Sequence, residues 1–387
     1  MNLSNRRLTR REFTRGAVAG AAVATVIPRH VLGAPGEAGA NEKLNIAANG
    51  VGGRGWADIQ GVKSENIVAL ADVDVRQTGR AYKEFPKARR YRDFRKMLDE
   101  MDAEIDAVTV GTPDHTHAVA CMDAMRRGKH VYCEKPLAHS VGEIRRLMKA
   151  AHDHNVVTQV GNQGHSSGSI RTFCEWIWDG AIGNVTEVHA ACNAFPDVYS
   201  QIRKLPLREE RPDVPADLDW DLWLGPARVR PYHPMYVPWN WRGWLDFGTG
   251  AIGDWVCHVV DPSFWALDLG APRTIQAEVE GYDPKKHSDV YPPGAAVTYE
   301  FPAKGDRGPV KLVWYDGTKK PPHPADLEED RKPPGTGATV IGDGGTITHG
   351  SHGAGGVRIV PETKMRAYER PEESIPRVPG HHQDWLQ

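Results

Sequence analysis

Gly50-Val51-Gly52-Gly53-Arg54-Gly55 is the stretch on which the fold is read. It follows a short apolar run, Leu44 to Ala48, and precedes residues that suit a helix. Glycines at 50, 52 and 55 have G-x-G-x-x-G spacing. In that spacing the first glycine permits a tight turn, the second lets backbone approach a pyrophosphate, and the third lets helix and strand pack closely. The helix N-terminus then offers free N–H groups and a positive dipole end to phosphates. Gly53 and Arg54 complete the same candidate cradle. With 40 glycines in 387 residues, the spacing alone also fits an ordinary strand-to-helix turn. Context decides. A second apolar run, Asn66 to Ala71, ends at Asp72. An acid ~20 residues after the first glycine suits a ribose 2′-hydroxyl. Strand, glycine turn, helix, strand and acid in that order define a dinucleotide site. Asp72 favours NAD because it repels the 2′-phosphate of NADP, while the nearby Arg76 leaves NADP open. Asn49 is polar where a buried strand end is usually apolar.

The pattern continues outward. Ile105 to Val110 reads as a third buried strand, running into a loop over Gly111-Thr112-Pro113-Asp114-His115. Ala118 to Arg127 reads as helix, His130 to Cys133 as strand ending at Glu134-Lys135-Pro136, Val141 to His154 as helix and Val156 to Val160 as strand. Such alternation implies a parallel sheet covered by helices, an α/β fold whose ligands bind beyond the C-terminal strand ends. Gly50, Asp72, Thr112, Pro113, Glu134 and Lys135 all fall at such ends. Residues 44–161 are therefore read as a doubly wound Rossmann domain, and 162–387 as a second, α+β domain. Strand-like segments lie near 185–193, 273–280, 295–301 and 309–315. Gly342-Asp-Gly-Gly345 marks a hairpin between Thr339-Val-Ile341 and Thr346-Ile-Thr348. Lys319 to Gly337 is Pro-rich and charged and reads as a surface loop.

A chain of this length suits two domains. The net charge of −2 gives no case for nucleic-acid binding, and no apolar run reaches the ~20 residues of a membrane span. The five cysteines lack C-x-x-C spacing and read as reduced thiols rather than a disulfide framework or zinc site. Residues 1–34 resemble a twin-arginine export signal: Thr9-Arg-Arg-Glu-Phe-Thr-Arg15 precedes an uncharged run from Gly16 to Ile27, then Pro28 and small residues at Gly33 and Ala34. A basic tail with an alanine-rich helix is the alternative. The signal implies the twin-arginine export machinery as a partner and a periplasmic location. Residues 35–43 read as a flexible linker.

Two groups carry candidate chemistry. Lys135 follows a strand and precedes a proline, so a lysine held there would point into the ligand crevice and hydrogen-bond a substrate oxygen. A surface lysine on a turn is the plainer reading. Asp254 and His258 share one face of a helix over Gly253 to Val260. A carboxylate beside an imidazole orients it and raises its proton affinity, as a general base requires; a polar pair packed between domains fits the spacing as well. Asp261 lies on the same face and, with Pro262 behind it, suits a helix cap. Seven of twelve tryptophans lie between Trp220 and Trp265. Trp241 and Arg242, within Trp239-Asn-Trp-Arg-Gly-Trp244, suit either a carbohydrate pocket or interface packing. His115 and His117, on a loop without nearby cysteines or carboxylates, give no metal site, and His381-His382 reads as no ligand pair.

Taken together, Gly50–Gly55, Ala71-Asp-Val-Asp74, Thr112-Pro-Asp-His-Thr-His117, Glu134-Lys-Pro136, Gly161-Asn-Gln-Gly164 and Gly253-Asp-Trp-Val-Cys-His258 resemble the Gfo/Idh/MocA oxidoreductases. The resemblance implies NAD or NADP, a sugar or polyol substrate, and an open mixed sheet in the C-terminal domain through which copies assemble as homo-oligomers. It implies Lys135, Asp254 and His258 as the catalytic set. His258 would take the hydroxyl proton, Asp254 would orient the ring, and Lys135 would bond the oxygen. It further places His117 among the cofactor contacts and Asn162 and Gln163 among the substrate contacts. An exported enzyme would hold its nicotinamide tightly and reoxidise it in place. Lys135 argues against the family's NAD-dependent glycosidase branch, which often lacks it. A redox-neutral glycosidase or epimerase and a non-catalytic carbohydrate-binding protein are the alternatives. The family continues beyond the position of Trp385-Leu-Gln387, so a truncated C-terminus is expected.

Overall fold

The architecture was obtained as a computed structural model, which describes residues 42–387. The expected export signal, and the linker up to Asn41, lie outside the described residues.

Six parallel strands form the first sheet: β1 Asn45–Asn49, β2 Asn66–Ala71, β3 Arg89–Tyr91, β4 Ala107–Val110, β5 His130–Glu134 and β6 Thr158–Gly161, in the order β3-β2-β1-β4-β5-β6. This is the doubly wound order, with its switch point between β1 and β4. The central strands are covered on both faces, which is why Ile46, Ala47, Ala48, Ala107, Val108 and Val110 are almost completely buried. Helices α1 Gly53–Gly61, α2 Gly79–Glu84, α3 Phe94–Met101, α4 Asp114–Arg126 and α5 Val141–Asp153 accompany the strands. Helix α4 starts at Asp114, four residues earlier than expected. Pro113 occupies its N-cap with extended backbone, so the helix begins directly behind it. His115 and His117 consequently sit in its first turn rather than on a loop.

The second sheet has seven strands: β7 Val185–Cys192, β8 Thr274–Val279, β9 Ala295–Phe301, β10 Val310–Asp316, β11 Thr336–Gly342, β12 Thr346–Gly350 and β13 Arg358–Val360. Their order is β13-β12-β11-β7-β10-β9-β8, and the sheet is mixed: β7 and β10 are parallel, the other neighbours antiparallel. Helices α6 Gly168–Trp178, α7 Gly250–Val259 and α8 Asp261–Ala266 pack on one face. There Ile170, Phe173, Trp176 and Val259 meet Val188, Leu312, Trp314 and Val340. The opposite face carries the Lys311–Glu187 ion pair and Tyr315. Alternation along β7 and β10 produces this division.

The chain returns to the first domain at its end. Helix α9, His381–Leu386, buries Trp385 against Ile46, Val62 and Tyr132. His382 stacks on Tyr132 with centroids 4.5 Å apart, and the His381 ring lies 2.7 Å from both the Val160 carbonyl and Ser166 Oγ. The two histidines fasten the helix to the Rossmann domain.

Candidate active site

Beyond the C-terminal ends of β1, β2, β4 and β5 lies a cavity of about 590 Å³, walled on its far side by α7 and the tryptophan-rich loops. Its near wall is the glycine turn. Gly50 has φ +79°, and a Cβ there would stand 2.8 Å from the Gly111 carbonyl carbon. A Cβ on Gly55 would lie 1.9 Å from the Gly50 carbonyl oxygen, so only glycine lets α1 approach the turn this closely. Gly52 meets Gln77 in the same way, at 2.6 Å. Gly53, by contrast, faces open space. No side chain caps the N-terminus of α1, which leaves its N–H groups for a ligand. Asn49 is buried but lines the cavity, which accounts for a polar residue at that strand end.

Asp72 closes the turn from the end of β2. Its carboxylate accepts the N–H of Val51 and of Asp74, both at 2.9 Å, and burial raises its pKa against those bonds. Arg76 is committed elsewhere: its Nε and Nη2 each donate to Asp74 at 2.7 Å.

Arg54 reaches from the cradle to Glu134 at 2.9 Å and to Asp58 at 3.1 Å. Gln163 donates to Glu134 at 2.6 Å and to the Tyr132 hydroxyl at 2.9 Å. Burial, then the nearby Asp58 charge, pushes Glu134 up to about 7; burial pushes Asp58 up to about 6. Two buried carboxyls thus share one guanidinium beneath the cavity.

Thr112 and Pro113 line the cavity with Gln163 and Glu134. His117 does not. It is buried, with Nε2 2.7 Å from the Thr112 carbonyl and Nδ1 2.8 Å from the Pro136 carbonyl. Held in the first turn of α4, it braces the backbone at Thr112 and Pro136. Asn162 also stands outside the lining and begins the short turn Gln163–Ser166.

At the far wall the Lys135 ammonium donates to the Asp254 carboxylate, and to the Asp254 carbonyl at 2.9 Å. The Tyr199 hydroxyl donates to the other carboxylate oxygen, and Trp255 Nε1 donates to Tyr199 at 2.7 Å. Arg242 lies 3.4 Å from the same carboxylate, held between the indoles of Trp239 and Trp241 at 4.1 and 4.2 Å. Burial opposes the Asp254 charge, but Lys135 and Arg242 prevail and hold its pKa below the usual range. Asp254 therefore turns to Lys135, Tyr199 and Arg242, not to His258, which corrects the expected orienting pair. His258 is buried beside them, its Nδ1 without a hydrogen-bond partner among the described residues. Its expected gain in proton affinity is reversed: burial first, then Lys135 and His352, push it down to about 3. It meets the cavity as a neutral ring.

The tryptophans take both expected roles. Trp220 and Trp244 pack with Tyr236 and Phe247, Trp239 and Trp255 line the cavity, and Trp223 and Trp241 do both. Sequence reading missed Tyr199, which ends the one-turn helix Pro196–Tyr199, and His352, in the turn after β12; both segments are too short to show periodicity. Asp114 was passed over too; it lines the cavity and accepts from Thr249 Oγ1 at 2.8 Å.

A Rossmann sheet with a glycine cradle and a lysine–carboxylate pair on one cavity is the arrangement of a nucleotide-binding fold joined to an α+β domain. Comparison with known proteins gives the lineage. Residues 44–162 match the oxidoreductase family's NAD-binding Rossmann fold and residues 206–307 its C-terminal alpha/beta domain; the chain belongs to the Gfo/Idh/MocA family. It is 27% identical over 221 residues to levoglucosan dehydrogenase of Pseudarthrobacter phenanthrenivorans, covering 57% of this chain and 46% of that protein. It is 30% identical over 116 residues to inositol 2-dehydrogenase of Rubrobacter xylanophilus, covering 29% and 33%. The chain thus spans less than half the length of these curated relatives. An NAD-binding protein from Listeria innocua shares the fold, with TM-score 0.57 at 18% identity over 89% of this chain and 86% of that one.

Proposed function

We propose that this protein binds NAD and moves a hydride between it and a carbinol carbon of a sugar or polyol. The observation that carries the reading is the Lys135–Asp254 pair on the wall of the same cavity as the glycine cradle. The cradle fits the cofactor: at Gly50, Gly52 and Gly55 a Cβ would collide with neighbouring chain, and the N-terminus of α1 is uncapped. When bound, NAD supplies the hydride acceptor. Gly50, Gly52, Gly53 and Arg54 would hold its phosphates. Asp72 would face the ribose. Because Arg76 is tied to Asp74, it is withheld from a 2′-phosphate, which supports NAD over NADP.

Lys135 hydrogen-bonds the substrate oxygen and stabilises negative charge that develops on it. Asp254, with Tyr199 and Arg242, fixes the ammonium in place. His258, a neutral ring on the cavity lining, takes the hydroxyl proton. Trp239 and Trp241 offer aromatic faces to sugar C–H groups. Similarity to proteins named for dehydrogenation of levoglucosan and inositol supports a carbohydrate substrate.

The deciding assay follows nicotinamide absorbance while purified protein is offered NAD with a panel of sugars and polyols. NADH formation with one of them supports the proposal. Sugar binding with no absorbance change favours a binding protein, and net product without NADH favours a redox-neutral epimerase or glycosidase. We further propose export by the twin-arginine route, a homo-oligomer and a tightly held cofactor. Native mass spectrometry of periplasmic protein reads all three; a cytoplasmic monomer that loses nicotinamide on dilution sinks them.

A further inference from the structure

A second imidazole enters the cavity from the turn after β12. His352, Gly353 and Ala354 are three successive left-handed residues, with φ of 56°, 81° and 59°. L-residues rarely adopt this backbone, and it persists where the surroundings over-determine it. Here they do. The Gly353 carbonyl accepts from Ser167 Oγ at 3.0 Å and from Ser169 Oγ at 2.6 Å. A Cβ on Gly164 would stand 2.3 Å from the His352 carbonyl carbon, so the turn is pressed against the loop that carries Gln163. The Ser351 hydroxyl lies 2.9 Å from His352 Nδ1.

The result is a stack. The rings of His352 and His258 lie face to face, 4.0 Å between centroids and 18° between planes. Trp255 lies edge-on to both rings, 5.6 Å from His352 and 5.8 Å from His258. His258 Nδ1 has no partner among the described residues, so no hydrogen bond at that nitrogen sets the angle of its ring. Aromatic contact is what remains to set it.

We propose that His352 is a positioning residue for His258: its ring, carried by the left-handed turn, fixes the plane in which the His258 ring meets the substrate hydroxyl. The inference rests on the oxidoreductase reading of the cavity. General-base transfer needs the accepting nitrogen within hydrogen-bond reach and in line with the proton. A ring free to rotate about its last torsion spends most of its time elsewhere.

The test uses the full-length protein and two substitutions. His352→Asn keeps a residue that tolerates the left-handed turn but removes the ring. His352→Phe restores an aromatic face. With NAD and the best wild-type substrate, His352→Asn should lower kcat ~10-fold with KM changed less than ~2-fold, because orientation and not binding is lost. His352→Phe should recover kcat to within ~3-fold of wild type. The His258 ring signal in NMR spectra, assigned by its loss in His258→Gln, should be single in wild type and His352→Phe but broadened or doubled in His352→Asn. An unchanged ring signal in His352→Asn, or a phenylalanine variant no faster than the asparagine one, overturns the proposal. If wild type transfers no hydride, the oxidoreductase reading fails, while the ring signals still decide whether the stack orders His258.

Discussion

Lys135 and Asp254 form an ion pair that joins the end of β5 to helix α7, with side-chain exposures of only 16% and 8%. The pair links the cofactor-binding domain to the second domain at the point where substrate oxygen would sit. Removing the ammonium should therefore affect chemistry far more than cofactor binding. Lys135→Met is expected to cut kcat by ~10²–10⁴ while NAD affinity, read by fluorescence titration, stays within a few-fold. Asp254 retains Tyr199 and Arg242 as partners in that variant, so the fold should survive. Near-normal turnover would remove Lys135 from the mechanism.

Two glycines of the cradle should respond differently to the same methyl group. In Gly55→Ala the new Cβ would lie 1.9 Å from a backbone oxygen that no side-chain rotation can move. A loss of roughly 3 kcal/mol in unfolding free energy, with NAD binding abolished, is expected. In Gly53→Ala nothing lies within 4 Å, and only its φ of +49° resists. That costs about 1 kcal/mol and should leave NAD binding measurable. Chemical denaturation and NAD titration of both variants check the contrast; equal losses would show that close packing is not what the third glycine supplies.

The parts legible in sequence are those whose cause is local. Gly50 to Gly55, β2 and Asp72 lie within one strand–turn–helix–strand unit, and their pattern is complete in itself. β3 escaped because three edge residues, Arg89 to Tyr91, pair with a single neighbour and need no apolar pattern. His117 was legible as a motif residue but not in its direction, since the start of α4 at Asp114 decides which way it turns. The spacing of Asp254 and His258 correctly placed both on one helix. It could not reveal that the carboxylate is claimed by Lys135, a partner 119 residues away. Tyr199 and His352 reach the cavity from segments of four residues, too short for helical or strand periodicity to mark a side chain as inward.

Glu134 makes the stability of the first domain pH-dependent. Burial and the neighbouring Asp58 charge raise it from 4.5 to about 7. Between those values the folded state binds more protons than the unfolded one, so stability is highest below the lower value and declines as pH rises through the upper one. Asp58, raised from 3.8 to about 6, acts in the same direction. Glu134→Gln removes the larger part. Its melting temperature should fall less than that of wild type between pH 5 and pH 8, with the two proteins closest at the acidic end. Parallel melting curves across this range would contradict the raised value.

Cofactor choice should hinge on Asp74 as well as Asp72. Arg76 lies next to Asp74, which lines the cavity, and its guanidinium is spent in a two-bond pair with that carboxylate at 2.7 Å on each arm. Asp74→Ala frees that charge, and an arginine at this position can accept a 2′-phosphate. KM for NADP should drop about tenfold, with KM for NAD little changed because Asp72 is untouched. The double variant Asp74→Ala with Arg76→Ala should lose the gain, which assigns it to the guanidinium and not to the missing carboxylate. If the single variant gains nothing, or the double variant keeps the gain, Arg76 is not the group withheld from NADP.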